Sequence, residues 1–209
     1  MYLSRLSLNR NRLAWNWISN PYHIHQRLMM AFDGDPRMLF RPESGPDGSF
    51  IIAQSCCAPC WEAAFDGFSV LACAPECKPF DPSFTGGQVF AFRLRANPTA
   101  KRTDPEDDKK KRVGLYREEE QLAWLARKGE VGGFRLLRAQ VRDDGLLRGF
   151  IPANESEQEH TLKLLAVHFD GLLQVTDPEV LRATLQAGIG SAKGFGFGLL
   201  SLAPARLAE

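Results

Sequence analysis

Tyr22 and His25 have a spacing that suits acid–base chemistry. Three residues apart on a helix, they project from the same side, so a phenol and an imidazole can reach one substrate atom. An imidazole titrates near neutral pH and serves as base or acid, whereas a phenol is a poor base unless its environment shifts its pKa. We therefore expect His25 to be the principal catalytic group and Tyr22 its partner. Simple packing at a helix end is the alternative, and His23 points elsewhere on the helix.

Cleavage of RNA is a reaction that such a pair suits. The ribose 2′-hydroxyl attacks the neighbouring phosphate in line, which requires a base for its proton, an acid for the 5′-oxygen and a cation near the developing charge. These requirements can be met by side chains alone. We therefore expect neither a metal nor a cofactor.

A glycine-rich stretch at residues 188–198 is the second candidate site. Closely spaced glycines let a backbone approach phosphates, and Lys193 adds a positive charge beside Gly190 and Gly194. The stretch lacks the Gly-Lys-Ser/Thr sequence of a Walker loop. It also follows a predicted helix and precedes a strand, the reverse of a dinucleotide-binding fingerprint. A tight connection between helix and strand is the alternative interpretation.

A basic stretch follows the predicted strand at residues 88–96 and is the third candidate. Phe90, Phe92 and Leu94 alternate with two arginines, which should share the opposite face of the strand. The predicted phosphate-binding track comprises Arg93, Arg95, Lys101, Arg102, Lys110 and Arg112. Acidic residues between 104 and 108 reduce the net positive charge of this track, so a solvated loop remains an alternative.

The elements that carry these residues follow from apolar spacing and turn residues. Asn20 is a good N-cap and Pro21 suits the first helical position, so we expect a helix over residues 22–32. We also expect strands over 1–8, 37–43, 49–55 and 88–96, a helix over 61–71 and a loop over 9–19. This βαββαβ order predicts a ferredoxin-like unit whose helices cover one face of an antiparallel sheet and whose other face is open.

A second series of elements begins after residue 97. It comprises helices over residues 117–128 and 178–188 and strands at 134–141, 162–175 and 197–202, with a turn expected at 170–171. We therefore predict an α+β fold of tandem ferredoxin-like (RRM-like) βαββαβ domains, at residues 1–97 and 98–209.

Composition and charge fit an ordinary folded protein. Hydrophobic residues make up 44% and charged residues 24% of the 209 residues, and the net charge is only +1. A nucleic-acid partner would therefore need basic residues gathered on one face. No apolar run is long enough to cross a bilayer, and residues 1–8 lack the apolar core of a signal peptide, so we expect a cytoplasmic protein without a membrane partner.

All five cysteines fall between Cys56 and Cys77, which is not how a disulfide framework is usually spread. Cys57, Cys60, Cys73 and Cys77 have spacing compatible with zinc. A helix between the two pairs would separate them by roughly 16 Å, however, which one zinc ion does not bridge easily. We favour free thiols, with structural zinc as the alternative.

The order of these motifs resembles the CasE family of CRISPR repeat-processing endoribonucleases, within the repeat-associated RNA-binding proteins. The resemblance spans the chain, from the opening Met-Tyr-Leu-Ser-Arg-Leu through Asn-Pro-Tyr-His-Ile-His and Phe-Arg-Leu-Arg-Ala-Asn-Pro to Gln-Leu-Ala-Trp-Leu. Its most specific part is the glycine-rich sequence at residues 187–204, Ala-Gly-Ile-Gly-Ser-Ala-Lys-Gly-Phe-Gly-Phe-Gly-Leu-Leu-Ser-Leu-Ala-Pro.

The resemblance implies a tandem ferredoxin-like fold that cleaves CRISPR precursor RNA at the 3′ base of each repeat stem-loop. It implies a metal-independent reaction that leaves a 2′,3′-cyclic phosphate and a 5′-hydroxyl, and a product that stays bound. The catalytic histidine of the family, three residues after a tyrosine, corresponds to His25 and Tyr22. Some relatives have a lysine five residues after that histidine, where this sequence has Met30, so Arg27 is the expected substitute.

The resemblance further implies a basic hairpin that grips the RNA stem, with Arg142 and Arg148 as its contacts. The expected partners are CRISPR repeat RNA and other Cascade subunits, and the free protein is expected to be a monomer. The rival interpretation is a non-catalytic RNA-binding subunit of a ribonucleoprotein complex, which would have no need of His25.

Overall fold

The computed structural model describes residues 1–46, 48–103, 110–151 and 160–205, and for residues 148–151 and 160–162 it describes the backbone alone. Two four-stranded antiparallel sheets form its framework. No helix within these ranges is both long and apolar enough to cross a bilayer. The cytoplasmic location stays a prediction.

The first sheet has the strand order of a ferredoxin-like unit. Its strands are β1 (Tyr2–Ser7), β2 (Met38–Gly45), β3 (Gly48–Ser55) and β4 (Glu76–Pro79), arranged β2-β3-β1-β4. Helices α1 (Arg12–Ile18), α2 (Pro21–Met29) and α3 (Trp61–Phe65) accompany it. Leu6, Ile24, Leu28, Phe40 and Ile51 are fully buried in the core of this unit.

Three expectations for this unit are wrong. The expected loop at 9–19 contains α1, because the Asn11 side chain accepts a hydrogen bond from Ala14 N at 2.8 Å and caps the helix. Helix α3 ends at Phe65 and not at residue 71, since Asp66 is extended and Gly67 has a φ of 64°. The fourth strand is β4, not the strand expected at 88–96.

The second sheet repeats the same order with later elements. Strand β5 (Val89–Ala96) pairs with two partners, β9 (His160–Val175) and β10 (Leu200–Pro204). With β8 (Phe134–Ile151) the order is β10-β5-β9-β8, and the helices are α4 (Glu118–Val131) and α5 (Pro178–Ala187). The tandem ferredoxin-like fold is therefore confirmed. Because β5 opens the second sheet, we propose a boundary between units within residues 80–88 instead of after residue 97.

Two further details differ from expectation in this unit. Strand β9 runs through residues 170–171 without a turn, because Gly171 pairs with Phe92 on one side and Ala139 on the other. A short hairpin, β6 (Thr99–Thr103) and β7 (Lys110–Gly114), is inserted after β5. Strands β8 and β9 pair antiparallel as far as residues 151 and 160, and they include the residues at which the resemblance implied a basic hairpin. The side chain of Arg148 lies outside the described residues.

The face of the first sheet that was expected to be open packs against the second unit. Gln54 Nε2 donates to the carbonyl oxygen of Leu185 at 2.7 Å. Arg41, whose side chain is 3% exposed, donates to the carbonyl oxygen of Leu199 at 2.9 Å and to Ser201 Oγ at 3.0 Å. The Arg41 bonds fix the residues just after the glycine-rich stretch against β2, and the Gln54 bond joins β3 to α5.

Candidate active site

Helix α2 presents Tyr22 and His25 on one side, as predicted. The Asn20 side chain accepts a hydrogen bond from Tyr22 N at 3.2 Å, and Pro21 occupies the first turn. Ile24 and Leu28 are fully buried and anchor the helix in its core. Tyr22 and His25 are left half-buried, while His23 is exposed. The sequence therefore holds both groups at an edge of the core.

The imidazole of His25 lies between β2 and the glycine-rich segment, residues 188–198. Its ring stacks on Phe40 with a centroid separation of 6.2 Å and an interplanar angle of 10°. A Cβ atom placed on Gly194 would lie 3.4 Å from His25 Cδ2 and 3.5 Å from Nε2. Tyr22 also faces this segment, with its ring 6.4 Å from that of Phe195. One side of the site thus comes from α2 and the other from the second unit.

Burial controls the charge of this imidazole. His25 Nδ1 is buried and has no hydrogen-bond partner among the described residues. Desolvation lowers the pKa of His25, and the nearby negative charge of Asp35 partly opposes this effect. The neutral ring therefore predominates at pH 7, and it has a nitrogen able to accept a proton.

The glycine-rich segment follows a path that other residues would not adopt. Gly188, Gly190, Gly196 and Gly198 all have positive φ, and Ala192 has a φ of 61°. At Gly196 a Cβ would come within 3.1 Å of Pro42 and 3.2 Å of Phe40, closer than ordinary contact, and the φ of 80° also favours glycine. The segment's tight path thus brings Gly194 against His25.

The two arginines of β5 have different surroundings. Arg95 lies over the ring of Phe197 at 4.8 Å, and its buried Nε has no partner among the described residues. Burial lowers the pKa of Arg95. Arg93 instead pairs with Asp170 at 2.6 Å and with Glu43 at 3.3 Å. The structure thus brings Arg95, but not Arg93, to the glycine-rich segment.

The remaining predicted contacts are spread over the surface. Arg27 donates to the carbonyl oxygen of Ala64 at 3.1 Å and lies 4.3 Å over the ring of Phe68, so it faces α3 and not the glycine-rich segment. Arg102 pairs with Glu120 at 2.7 Å, and Arg142 pairs with Asp144 at 3.2 Å.

A cleft joins several of the other predicted contacts. Lys101, Arg112, Gly190 and Lys193 line this space beside the glycine-rich segment. Lys110 is exposed at the start of β7.

The cysteines take no part in this site. All five are exposed free thiols. Within the described ranges, no three His, Cys, Asp or Glu side chains are grouped closely enough to hold a metal ion. The zinc alternative therefore gains no support from the fold.

Comparisons with known proteins agree with this architecture. A family model described as CRISPR associated protein matches residues 1–204. The CRISPR-associated endoribonuclease Cse3 of Thermus thermophilus is 38% identical over 98% of this chain and 100% of its own length. The Cascade subunit CasE of Escherichia coli K12 is 34% identical over the same shares. The chain belongs to the CasE-type CRISPR endoribonucleases.

Solved structures of CasE-type proteins share the fold of this chain. Cse3 bound to a 19-nucleotide RNA matches with a TM-score of 0.81 and 36% identity, over 98% of this chain and 100% of that one. Cas6e from Escherichia coli K-12 matches with a TM-score of 0.72 and 29% identity over the same shares. The family and the tandem fold predicted from the sequence are thus confirmed.

Sequence reasoning missed three features of this CasE-type site. Phe40 stacks on the imidazole, Arg41 holds the segment in place, and Lys128 lies in the cleft. An apolar run around β2 predicted only a core strand, and Lys128 had the appearance of an ordinary helix-surface lysine. Each depends on contacts between distant parts of the chain, which local spacing does not reveal.

Proposed function

We propose that this protein cleaves CRISPR precursor RNA at the 3′ base of the repeat stem-loop. His25 and Tyr22 act on the ribose 2′-hydroxyl and the leaving 5′-oxygen. The observation that carries the proposal is the half-buried, neutral imidazole of His25 packed against the glycine-rich segment. A side chain that served only to fill the core would not be left at an edge with an unpartnered ring nitrogen.

The reaction proceeds by attack of the 2′-oxygen on the adjacent phosphorus. One of His25 and Tyr22 removes the hydroxyl proton as the new oxygen–phosphorus bond forms. The bond to the 5′-oxygen then breaks, and the other group supplies a proton to that oxygen. The products are a 2′,3′-cyclic phosphate and a 5′-hydroxyl, and no metal is needed in any step.

A cation should stabilise the charge that develops on the phosphate. Met30 is exposed at the position where some relatives have a lysine, and Arg27 is held against α3. We assign this role to the glycine-rich side of the site, where Arg95 and Lys193 lie. Arg95 is the stronger candidate, because its guanidinium adjoins Gly196, two residues from the glycine that contacts His25.

The RNA stem would be held by phosphate and 2′-hydroxyl contacts, since the major groove of A-form RNA is too narrow to read. We propose Lys101, Arg102, Lys110, Arg112, Arg142, Arg148, Gly190, Lys193 and Gly194 as contacts. Arg93 is the weakest member of the predicted set, because two carboxylates already neutralise it. The free protein is a monomer, and after cleavage the product stays bound while the protein joins other Cascade subunits.

Cleavage in the presence of EDTA tests this function. Labelled repeat RNA should be cut by the wild-type protein in excess EDTA to a cyclic phosphate and a 5′-hydroxyl. His25→Ala should abolish cutting and leave RNA affinity nearly unchanged. His23→Ala is the matched control, because His23 is exposed on the same helix, and it should cut at the wild-type rate. Cutting that requires added magnesium, or a normal rate for His25→Ala, would refute the mechanism. Binding without any cutting would favour the non-catalytic alternative.

A further inference from the structure

The cleft beside the glycine-rich segment has the charge of an anion-binding site. It lies between the β6–β7 hairpin, α4 and residues 188–193, with a volume of about 360 Å³. Four cations line it: Lys101, Arg112, Lys128 and Lys193. No carboxylate is among its described lining residues. A surface with mixed charges would be expected to pair at least some of these cations.

Two of these cations, Lys128 and Lys193, repel each other in the free protein. None of the four has a carboxylate partner among the residues that the structure describes, and the ammonium group of Lys128 lies over the ring of Trp124 at 5.9 Å. Desolvation, followed by the charges of Arg37 and Lys128, lowers the pKa of Lys193. A bound anion would offset this repulsion, so the arrangement favours an occupied cleft over an empty one.

Polar groups without charge complete the cleft. Ser191 lines it, and its buried Oγ has no hydrogen-bond partner among the described residues. Asn97, only 6% exposed, contributes an amide to the same lining. Gly188 and Gly190 add backbone without side chains. Hydroxyl, amide and backbone groups together with ammonium and guanidinium groups are the donor set that binds a phosphate.

The position of the cleft indicates which phosphate it would take. Lys193 lines the cleft, and the next residue, Gly194, contacts the imidazole of His25. Consecutive Cα atoms are only about 3.8 Å apart, so the cleft adjoins His25 closely enough for a phosphate next to the scissile one to reach it. We propose that this cleft binds the backbone phosphate one or two nucleotides from the scissile phosphate, through Lys128, Lys193 and Ser191. This inference rests on the function proposed above.

Binding of an uncut substrate tests the inference separately from the chemistry. A repeat RNA with a 2′-deoxyribose at the cut nucleotide lacks the nucleophile, so its dissociation constant can be measured with the wild-type protein. Lys128→Met should weaken binding about tenfold, the loss expected for one charge-assisted contact, and should reduce the slope of log Kd against log salt by about 0.7. Arg127→Met is the matched control. It removes the same charge from the exposed neighbouring position of α4 and should change Kd less than about twofold.

Neutral methylphosphonate linkages then locate the phosphate. Replacing successive phosphates on each side of the cut should reveal one position that weakens binding to the wild-type protein. The same replacement should cause no further loss with Lys128→Met. Ser191→Ala should show the same coupling at that position, which provides a second variant if the first unfolds.

Two results would overturn the inference. Equal affinities for Lys128→Met and Arg127→Met, both folded by thermal melting, would show that the cleft does not contact RNA. The second result is additivity at every position. If each methylphosphonate weakens binding to Lys128→Met and to Ser191→Ala as much as it weakens binding to the wild-type protein, the cleft holds no particular phosphate. In either case a wild-type protein that still binds and cuts repeat RNA leaves the proposed function intact. A wild-type protein that fails to cut would instead contradict that function.

Discussion

Replacing Arg41 with methionine should destabilise the protein strongly. The Arg41 side chain is 3% exposed and donates to Glu43 Oε1 at 2.7 Å and to the carbonyl oxygen of Leu199 at 2.9 Å. Methionine fills similar space but removes the donor to Glu43 Oε1 and to the carbonyl oxygen of Leu199. Breaking a buried ion pair by removing one partner costs about 3–5 kcal/mol. Because Arg93 still reaches the other oxygen of Glu43 at 3.3 Å, we expect the lower end, about 3 kcal/mol.

Urea unfolding followed by tryptophan fluorescence measures this loss. The midpoint should fall at an unchanged m-value, since the surface exposed on unfolding is nearly the same. Arg93→Met is the control, because the Arg93 side chain is 49% exposed and its ion pairs should contribute less than about 1 kcal/mol. A loss below about 1 kcal/mol for Arg41→Met would show that its hydrogen bonds are readily replaced, and the reasoning would then be wrong.

Two further predictions concern the imidazole. Burial lowers the pKa of His25 and Asp35 raises it, so if the ring is the base, single-turnover cleavage should be lost as pH falls through this lowered pKa. Asp35→Asn removes the raising charge and should move that loss to lower pH; a shift to higher pH would contradict the assignment. Gly194→Ala should fold normally, because Gly194 lacks a positive φ and its new Cβ would make only ordinary contacts with the imidazole, at 3.4 Å from Cδ2 and 3.5 Å from Nε2. It should cleave about tenfold more slowly, because the methyl group covers the side of Nε2 that the substrate would approach. An unchanged single-turnover rate would show that the substrate does not approach the ring from that side.

Local sequence signals predicted much of the fold and the placement of Tyr22 and His25 on one side of a helix. The Asn20 cap and Pro21 located α2, and the three-residue spacing placed Tyr22 and His25 on one side. The assignment of β5 to the first sheet failed for a physical reason. A strand that alternates Phe92, Arg93 and Leu94 has the same local pattern in either sheet, and only long-range pairing with β9 and β10 decides its place.

The surroundings of the charged residues were less predictable. Arg93 and Arg95 share one face of a strand, yet their neighbours differ. Glu43 from the first sheet and Asp170 from β9 neutralise Arg93, whereas the guanidinium of Arg95 lies over the ring of Phe197. Arg27 was expected to approach His25, but the carbonyl of Ala64 and the ring of Phe68 hold it on another side of the helix. Spacing indicates which face a side chain occupies, whereas the tertiary fold determines its partners.

The packing of Gly194 against His25 also has a consequence for synthesis. The ribosome makes the imidazole early and its glycine neighbour late, after nearly all of the second sheet. The surroundings of the imidazole therefore cannot be complete until nearly the whole chain has been synthesised. A chain that stops before residue 194 would have the histidine but would lack the glycine wall that faces it.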